Sequence, residues 1–391
     1  MPWPFTSISS LVSHAEKGES KTPSTRFAFK LFRELASDLG TKNLFFSPSG
    51  VMLCLSLIRE LASGETKSAI ERVLETTSLD HAAFEIEIAS VKAAFRAREE
   101  AEVSLANSLW LGNRAQIDSS RAAQLRGFYG SEITKVDFSG PDAVPAINAW
   151  VDSHTRGKIR QIVDAVPPLA ALIAINAVYF KGLWSIPFRK ELTCGYPFHL
   201  ASGEIRQVPM MTKGGSFRYH EDDRTQLVFL PYKGEVSMIV ALPSAGTSLD
   251  AFRKIFNSGV WDSWTEQATE EEGVVRLPRF QVEYTAQLRQ ALTALGMARA
   301  FDPRQAEFEA IRTDSPPVWI ERMMHRAVAD VSEEGTEAAA VTSAMHVFGS
   351  AMPRKIPKRF NMTVDRPFFV VLRDDRTQAI LFMGWIGNPQ Q

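Results

Sequence analysis

The run ALIAINAVYFKGLW, residues 171–184, constrains the fold more than any other stretch. It is apolar on both alternate sets of positions and rich in β-branched residues, which reads as a strand buried on both faces. Such a strand needs neighbours on either side and covering layers above and below. The rest of the chain supplies both.

Helical spacing recurs early. STRFAFKLFRELASDLG places Phe27, Phe29, Leu31, Phe32 and Leu35 at helical intervals, with Ser24 as the expected cap. VMLCLSLIRELASG is apolar on nearly every side until Arg59, as a buried helix is. GETKSAIERVLETT, HAAFEIEIASVKAAFRAREE, SSRAAQLRGFYG and the segment from Pro141 to Val163 predict further helices, with the alternating AEVSLANSLWLG and SEITKVDF as strands between them. Beyond Trp184 four strand-like stretches follow, closed by turn residues. Two short helices at 248–256 and 260–267 come next, then a strand broken at Pro278 and a helix that Gly296 closes. The chain ends in two apolar strands around an Asp-Asp-Arg-Thr turn. Helices early and strands late predict an α+β fold. Nothing divides the chain into repeats or joins parts of it by a long linker, so one domain is expected over residues 25–391 after a polar lead-in at 1–24.

Composition excludes several functions. The 391 residues carry a formal net charge of −1 and no aromatic-basic stripe, so no nucleic-acid partner is expected. Cys54 and Cys194 cannot build a disulfide framework or a metal site, and the seven histidines share no ligand spacing. Neither a signal core nor an apolar run of about 18 residues is present. No cofactor, metal or membrane partner is expected, and the chain reads as a monomer. Its location is expected to be cytoplasmic, with extracellular delivery by an unconventional route left open. No nucleophile elbow, zinc-binding helix, paired-cysteine motif or phosphate loop occurs, which argues against an enzyme.

One stretch resists assignment. From Gly335 to Phe348 one alternate face carries Thr336, Ala338, Ala340, Thr342, Ala344 and His346, nearly all small and uncharged. The other carries Glu337, Ala339, Val341, Ser343, Met345 and Val347. The segment reads equally as an exposed loop, a buried strand or an alanine-rich helix.

Five ordered motifs resemble the serpins across nearly the whole chain. FFSPSGVMLCLSL at 45–57 looks like the family's signature turn and buried helix, and INAVYFKGLW at 175–184 like its central strand. LPRFQVEYTAQLRQALTALGMARAF is similar to its later strand-helix pair, HRAVADVSEEGTEAAA at 325–340 to the strand and hinge before the reactive loop, and DRPFFVVLRDDRTQAILFMGWIGNP at 365–389 to its C-terminal hairpin. The resemblance implies three β-sheets, eight or nine helices and an exposed reactive-centre loop at about 335–358. It implies a suicide inhibitor of serine endopeptidases, whose cut loop inserts as a new strand in the main sheet and holds the protease as an acyl-enzyme. The alternatives are a non-inhibitory serpin with a binding or chaperone role, and an inhibitor of cysteine proteases.

The hinge would be Glu333, Glu334, Gly335, Thr336, Glu337, Ala338, Ala339 and Ala340, which matches the inhibitory pattern. The family's shutter maps onto Ser47, Asn176 and His325, and its breach onto Trp184. A serine usual in the family is replaced by Gly50. Family spacing puts the cleaved bond at Gly349–Ser350, while Phe348–Gly349 gives a chymotrypsin-like or subtilisin-like target an apolar side chain to grip. A trypsin-like enzyme would instead cut at Arg354 or Lys355. The reactive bond is therefore assigned to Phe348, Gly349 and Ser350, with Phe348–Gly349 preferred.

Overall fold

The computed structural model describes residues 19–20, 22–96, 98, 100–313, 317–336 and 359–390. Among the described residues nine α-helices surround three sheets of nine, six and two strands. The strand Leu172–Leu183 is buried along almost its whole length at the middle of the six-stranded sheet. Ala101–Gly112 runs antiparallel on one side of it and Ile320–Val331 parallel on the other. Glu132–Val136 and Phe280–Gln287 are the two edges.

Both faces of the central strand are covered, which explains its unbroken apolar sequence. Ile173, Ile175 and Ala177 pack under the helix Ala143–His154 with Ile147 and Val151. Leu172, Ala174, Val178 and Phe180 face the main core. Behind this face lies the helix Pro48–Arg59, every residue of which is buried. Pro48 is pre-set for the first helical position, and the Ser47 side chain caps the helix by accepting from the Gly50 N–H.

The C-terminal hairpin, Phe368–Asp374 with Ile380–Ile386, is wholly buried and belongs to the nine-stranded sheet. Pro278 ends a strand of that sheet, and Phe280 starts the edge of the six-stranded one. Proline has no N–H for a ladder, so the chain changes sheets there. The chain rejoins the nine-stranded sheet at Phe360–Thr363, parallel to Gly273–Arg276. There the Phe360 ring stacks on Tyr219 at 3.8 Å and lies over Gly273, where a Cβ would stand 2.3 Å from the ring.

Two local readings change, and one pairing had no counterpart in the sequence reading. The first helix starts at Pro23, so Ser24 lies inside it; Thr22 holds the cap position without a side-chain bond. The helix expected to close at Gly296 is α-helical only over Arg289–Leu292, then widens into a π-turn with Gly296 at φ 109°. The strand Ala115–Ile117 pairs with Ile311–Thr313, and three residues carry too little periodicity to predict either.

Candidate functional site

At the Leu183 end of the central strand the chain doubles back. The turn Ser332–Gly335 is closed by reciprocal backbone hydrogen bonds, Ser332 N–H to Gly335 O at 2.7 Å and Gly335 N–H to Ser332 O at 3.3 Å. The next residues, Gly335–Thr336, form a two-residue strand antiparallel to both Leu172–Leu183 and Ile320–Val331. Gly335 is required: its φ is 147°, and an added Cβ would meet the Gly182 carbonyl oxygen at 2.0 Å. Thr336 is wholly buried and its hydroxyl shares a 2.7 Å hydrogen bond with the Tyr232 hydroxyl. Below these two residues the long strands pair directly with each other, from Val328–Tyr179 down to Ile320–Leu172. The sheet is thus already open by one short strand at one end and closed for the rest of its length.

A polar and aromatic clamp holds the opening. The Trp184 ring stacks on Tyr232 at 4.0 Å, donates from Nε1 to the Ser332 carbonyl at 2.9 Å, and its backbone N–H donates to Glu334 O. The Glu333 side chain is buried and receives hydrogen bonds from Arg279 Nε at 2.7 Å and from the Thr193 hydroxyl. Burial works to raise the Glu333 pKa, but the bonds from Arg279 and Thr193 outweigh it and hold the carboxyl below its usual range. Glu334 pairs with Lys190. Arg279, Thr193, Lys190 and Tyr232 join this site although nothing local in the sequence marks them.

Midway down the sheet a polar rung crosses three strands. His325, Asn176 and Asn107 are direct register partners. His325 Nδ1 donates to Asn176 Oδ1 at 2.6 Å, and Asn176 Nδ2 donates to Asn107 Oδ1 at 2.6 Å. His325 Nε2 accepts from the Ser47 N–H at 3.2 Å, so the helix cap joins the rung. Both ring nitrogens are committed to a neutral imidazole, and burial lowers the His325 pKa to about 3. At Gly50 a Cβ would stand 2.8 Å from Val178 Cγ2 and 3.0 Å from both Asn176 Nδ2 and Ser47 Oγ. The serine expected from the resemblance would crowd the rung. Asn107 is the member that sequence reading missed.

The rung predicts a pH dependence. The unfolded chain binds a proton on this histidine below its ordinary value of 6.5, and the folded chain does not until about 3. Stability therefore falls on acidification through this window, and from this group alone by about 2 kcal/mol at pH 5. Urea midpoints between pH 7.5 and 5 measure the loss, and the slope should flatten in His325→Gln.

Glu337, Ala338, Ala339 and Ala340 of the hinge, the bond residues Phe348, Gly349 and Ser350, and Arg354 and Lys355 lie outside the described residues. Cys54 is buried, its thiol pushed up to about 12 by desolvation, and Cys194 is exposed. Among the described residues no cluster of metal-ligating side chains occurs, and no helix is long and apolar enough to cross a membrane.

A family model described as Serpin (serine protease inhibitor) matches residues 22–389. An uncharacterized serpin-like protein of Thermococcus kodakarensis is 35% identical over 93% of this chain and 84% of its own. Leukocyte elastase inhibitor A of Mus musculus is 31% identical over 93% of this chain and 98% of its own. Among solved structures, the native state of a thermophilic serpin, tengpin, superposes with a TM-score of 0.86 at 25% identity, covering 94% of this chain and 93% of that one.

Proposed function

We propose, because this chain belongs to the serpin family, that it is a suicide-substrate inhibitor of serine endopeptidases. The target's serine attacks the carbonyl of Phe348 or Gly349, the peptide C–N bond breaks, and the amine of the next residue leaves. The acylated segment then enters the six-stranded sheet between Ile320–Val331 and Leu172–Leu183, carrying the protease with it. The preferred target is a chymotrypsin-like or subtilisin-like enzyme.

The observation that carries this reading is the two-residue strand Gly335–Thr336, seated between two long strands that otherwise pair directly. Its register supplies the path. Continuing the pairs Gly335–Leu183 and Thr336–Gly182 one residue at a time brings His346 opposite Leu172, the end of the central strand. The face that follows Thr336 toward the core is Ala338, Ala340, Thr342 and Ala344, all small enough for a closed interior. The same count sets Thr342 level with Asn176 and His325, where the incoming strand would separate them and offer a hydroxyl in place of the broken bond.

Energetics favour the move. The strands part with the loss of eight register pairs and regain a ladder on each side of the new strand. A net gain of roughly ten hydrogen bonds at ~1 kcal/mol each is on the order of 10 kcal/mol. That exceeds the few kcal/mol held in ordinary local strain, so folding stops short of the most stable arrangement.

Incubation with a chymotrypsin-like protease should yield a complex that survives boiling in detergent, and mass spectrometry of the C-terminal fragment names the bond. Rapid, complete loop cleavage without such a complex would refute inhibition and favour a binding or chaperone role.

A further inference from the structure

We propose that a cavity at the Leu172 end of the six-stranded sheet receives the side chain of Phe348 after the loop has inserted. The inference rests on the inhibitory reading above and adds a destination for one residue of the loop.

The cavity has a volume of about 460 Å³ and is lined on its apolar side by Phe138, Leu169, Ala170, Ala171, Val318 and Trp319. That volume lies in the range of pockets that bury small ligands. Leu169 on its rim is 81% exposed, the highest value among the large hydrophobic residues described. A cavity with one apolar wall and an uncovered leucine at its mouth stands where the insertion path would end.

Register determines what arrives there. His346 reaches Leu172, and Leu172 pairs with Ile320 on the other side of the path. Phe348 lies two residues beyond, about 7 Å further along the strand direction. It therefore comes level with Ala170 and Val318, both of which line the cavity. Counting from the pair Thr336–Val331 leads to the same place once the one-residue slip between Ile320 and Arg322 is included. Alternation agrees as well: Phe348 shares the face of Thr336, the buried one. The rest of the lining mixes the polar Asn113, Arg114 and Asp137 with the apolar Ala115 and Pro168, so an aromatic ring would meet the apolar wall while the backbone beyond it stays at the surface.

The cavity would compete with the protease for one side chain. Phe348 is the residue that an apolar primary pocket grips, and it can occupy only one of the two sites. Docking in the cavity holds the acyl end of the loop away from the geometry in which the protease's serine, imidazole and oxyanion donors act together. A trapped complex then lasts longer than burial of the small face alone would make it.

Synthetic peptides matching residues 337–348, one ending in phenylalanine and one in alanine, separate this proposal from insertion itself. Annealed to the intact protein, the phenylalanine peptide should give a complex that melts roughly 2–4 °C above the alanine one. The difference should disappear in Ala170→Trp, which fills the cavity, and shrink in Leu169→Ser, a surface change that leaves folding intact. Equal melting of both complexes on the unmodified protein would overturn the cavity's role and leave insertion standing. Failure of both peptides to raise the melting temperature would overturn insertion, and this proposal with it.

Discussion

A Thr336→Arg variant is expected to be cut by the target protease at an undiminished rate while retaining at least ~10-fold less of it in covalent complex. Thr336 is wholly buried, and its hydroxyl is bonded to Tyr232 beneath the stacked Trp184 ring. The side-chain partner at that position is the Tyr232 hydroxyl, and a guanidinium cannot give up its proton, so burying it there is strongly unfavourable. The hinge would remain outside the sheet, where it does not hinder the protease from reaching the bond downstream. Cleavage then outruns insertion, and the acyl-enzyme hydrolyses. Thr336→Ser should trap normally, because it keeps the hydroxyl and the small volume. Thr336→Val separates the hydroxyl from the volume and should fall between the two. The measurement is the ratio of complex to cleaved protein on a denaturing gel; unchanged trapping by the arginine variant would remove insertion at this hinge as the mechanism.

Glu333→Lys has the second largest expected effect, and it acts on the uncleaved protein. The Glu333 carboxylate is nearly inaccessible and accepts from Arg279 and Thr193. Arg279 is itself 44% exposed, so losing the pair costs less than the about 3–5 kcal/mol of a pair buried on both sides. Reversal of its charge adds repulsion from Arg279, with Lys190 nearby on Glu334. The clamp should open, the six-stranded sheet should part more readily below Thr336, and the native form should unfold at lower urea. The strand gap so created can accept an extended segment from a second molecule, so self-association should rise with protein concentration. The double variant Glu333→Lys with Arg279→Glu restores opposite charges and should recover much of the loss. If it recovers none, the pair is not what holds the hinge.

The features of this molecule differ in how legible they were. The central strand was readable from residues 171–184 alone because burial on both faces removes any polar alternation. The C-terminal hairpin was readable because two apolar runs flank a turn of Asp375, Arg376 and Thr377. Asn107 left a trace, a polar residue in the alternating strand AEVSLANSLWLG, but its meaning depends on a register that sets it beside Asn176 and His325. Residues 107, 176 and 325 lie on one rung only because three strands align, and no local pattern encodes that alignment. The Glu333 clamp is hidden for the same reason, since Thr193 and Arg279 reach it from separate strands and turns. The distorted turn at Thr293–Met297 is a different case: the residues favour a helix, and the positive φ of Gly296 ends it by widening rather than by a simple stop.

The position of Phe360 has a consequence for reversibility. It is fixed in the nine-stranded sheet by its stack on Tyr219 and by the parallel ladder with Gly273–Arg276, and behind it comes the fully buried hairpin. A cut after Phe348 would thus leave the C-terminal piece locked in place, a second chain without a covalent link to the first. Meanwhile the other new end would travel the length of the central strand, about 40 Å at ~3.3 Å per residue. The two ends of the former bond would then face away from each other across the body of the molecule. Resealing would need both to return together against the full free energy of the inserted strand. On the proposed mechanism cleavage would work as a ratchet: each molecule would respond to a protease once, and its two-piece form would be a lasting record of the encounter.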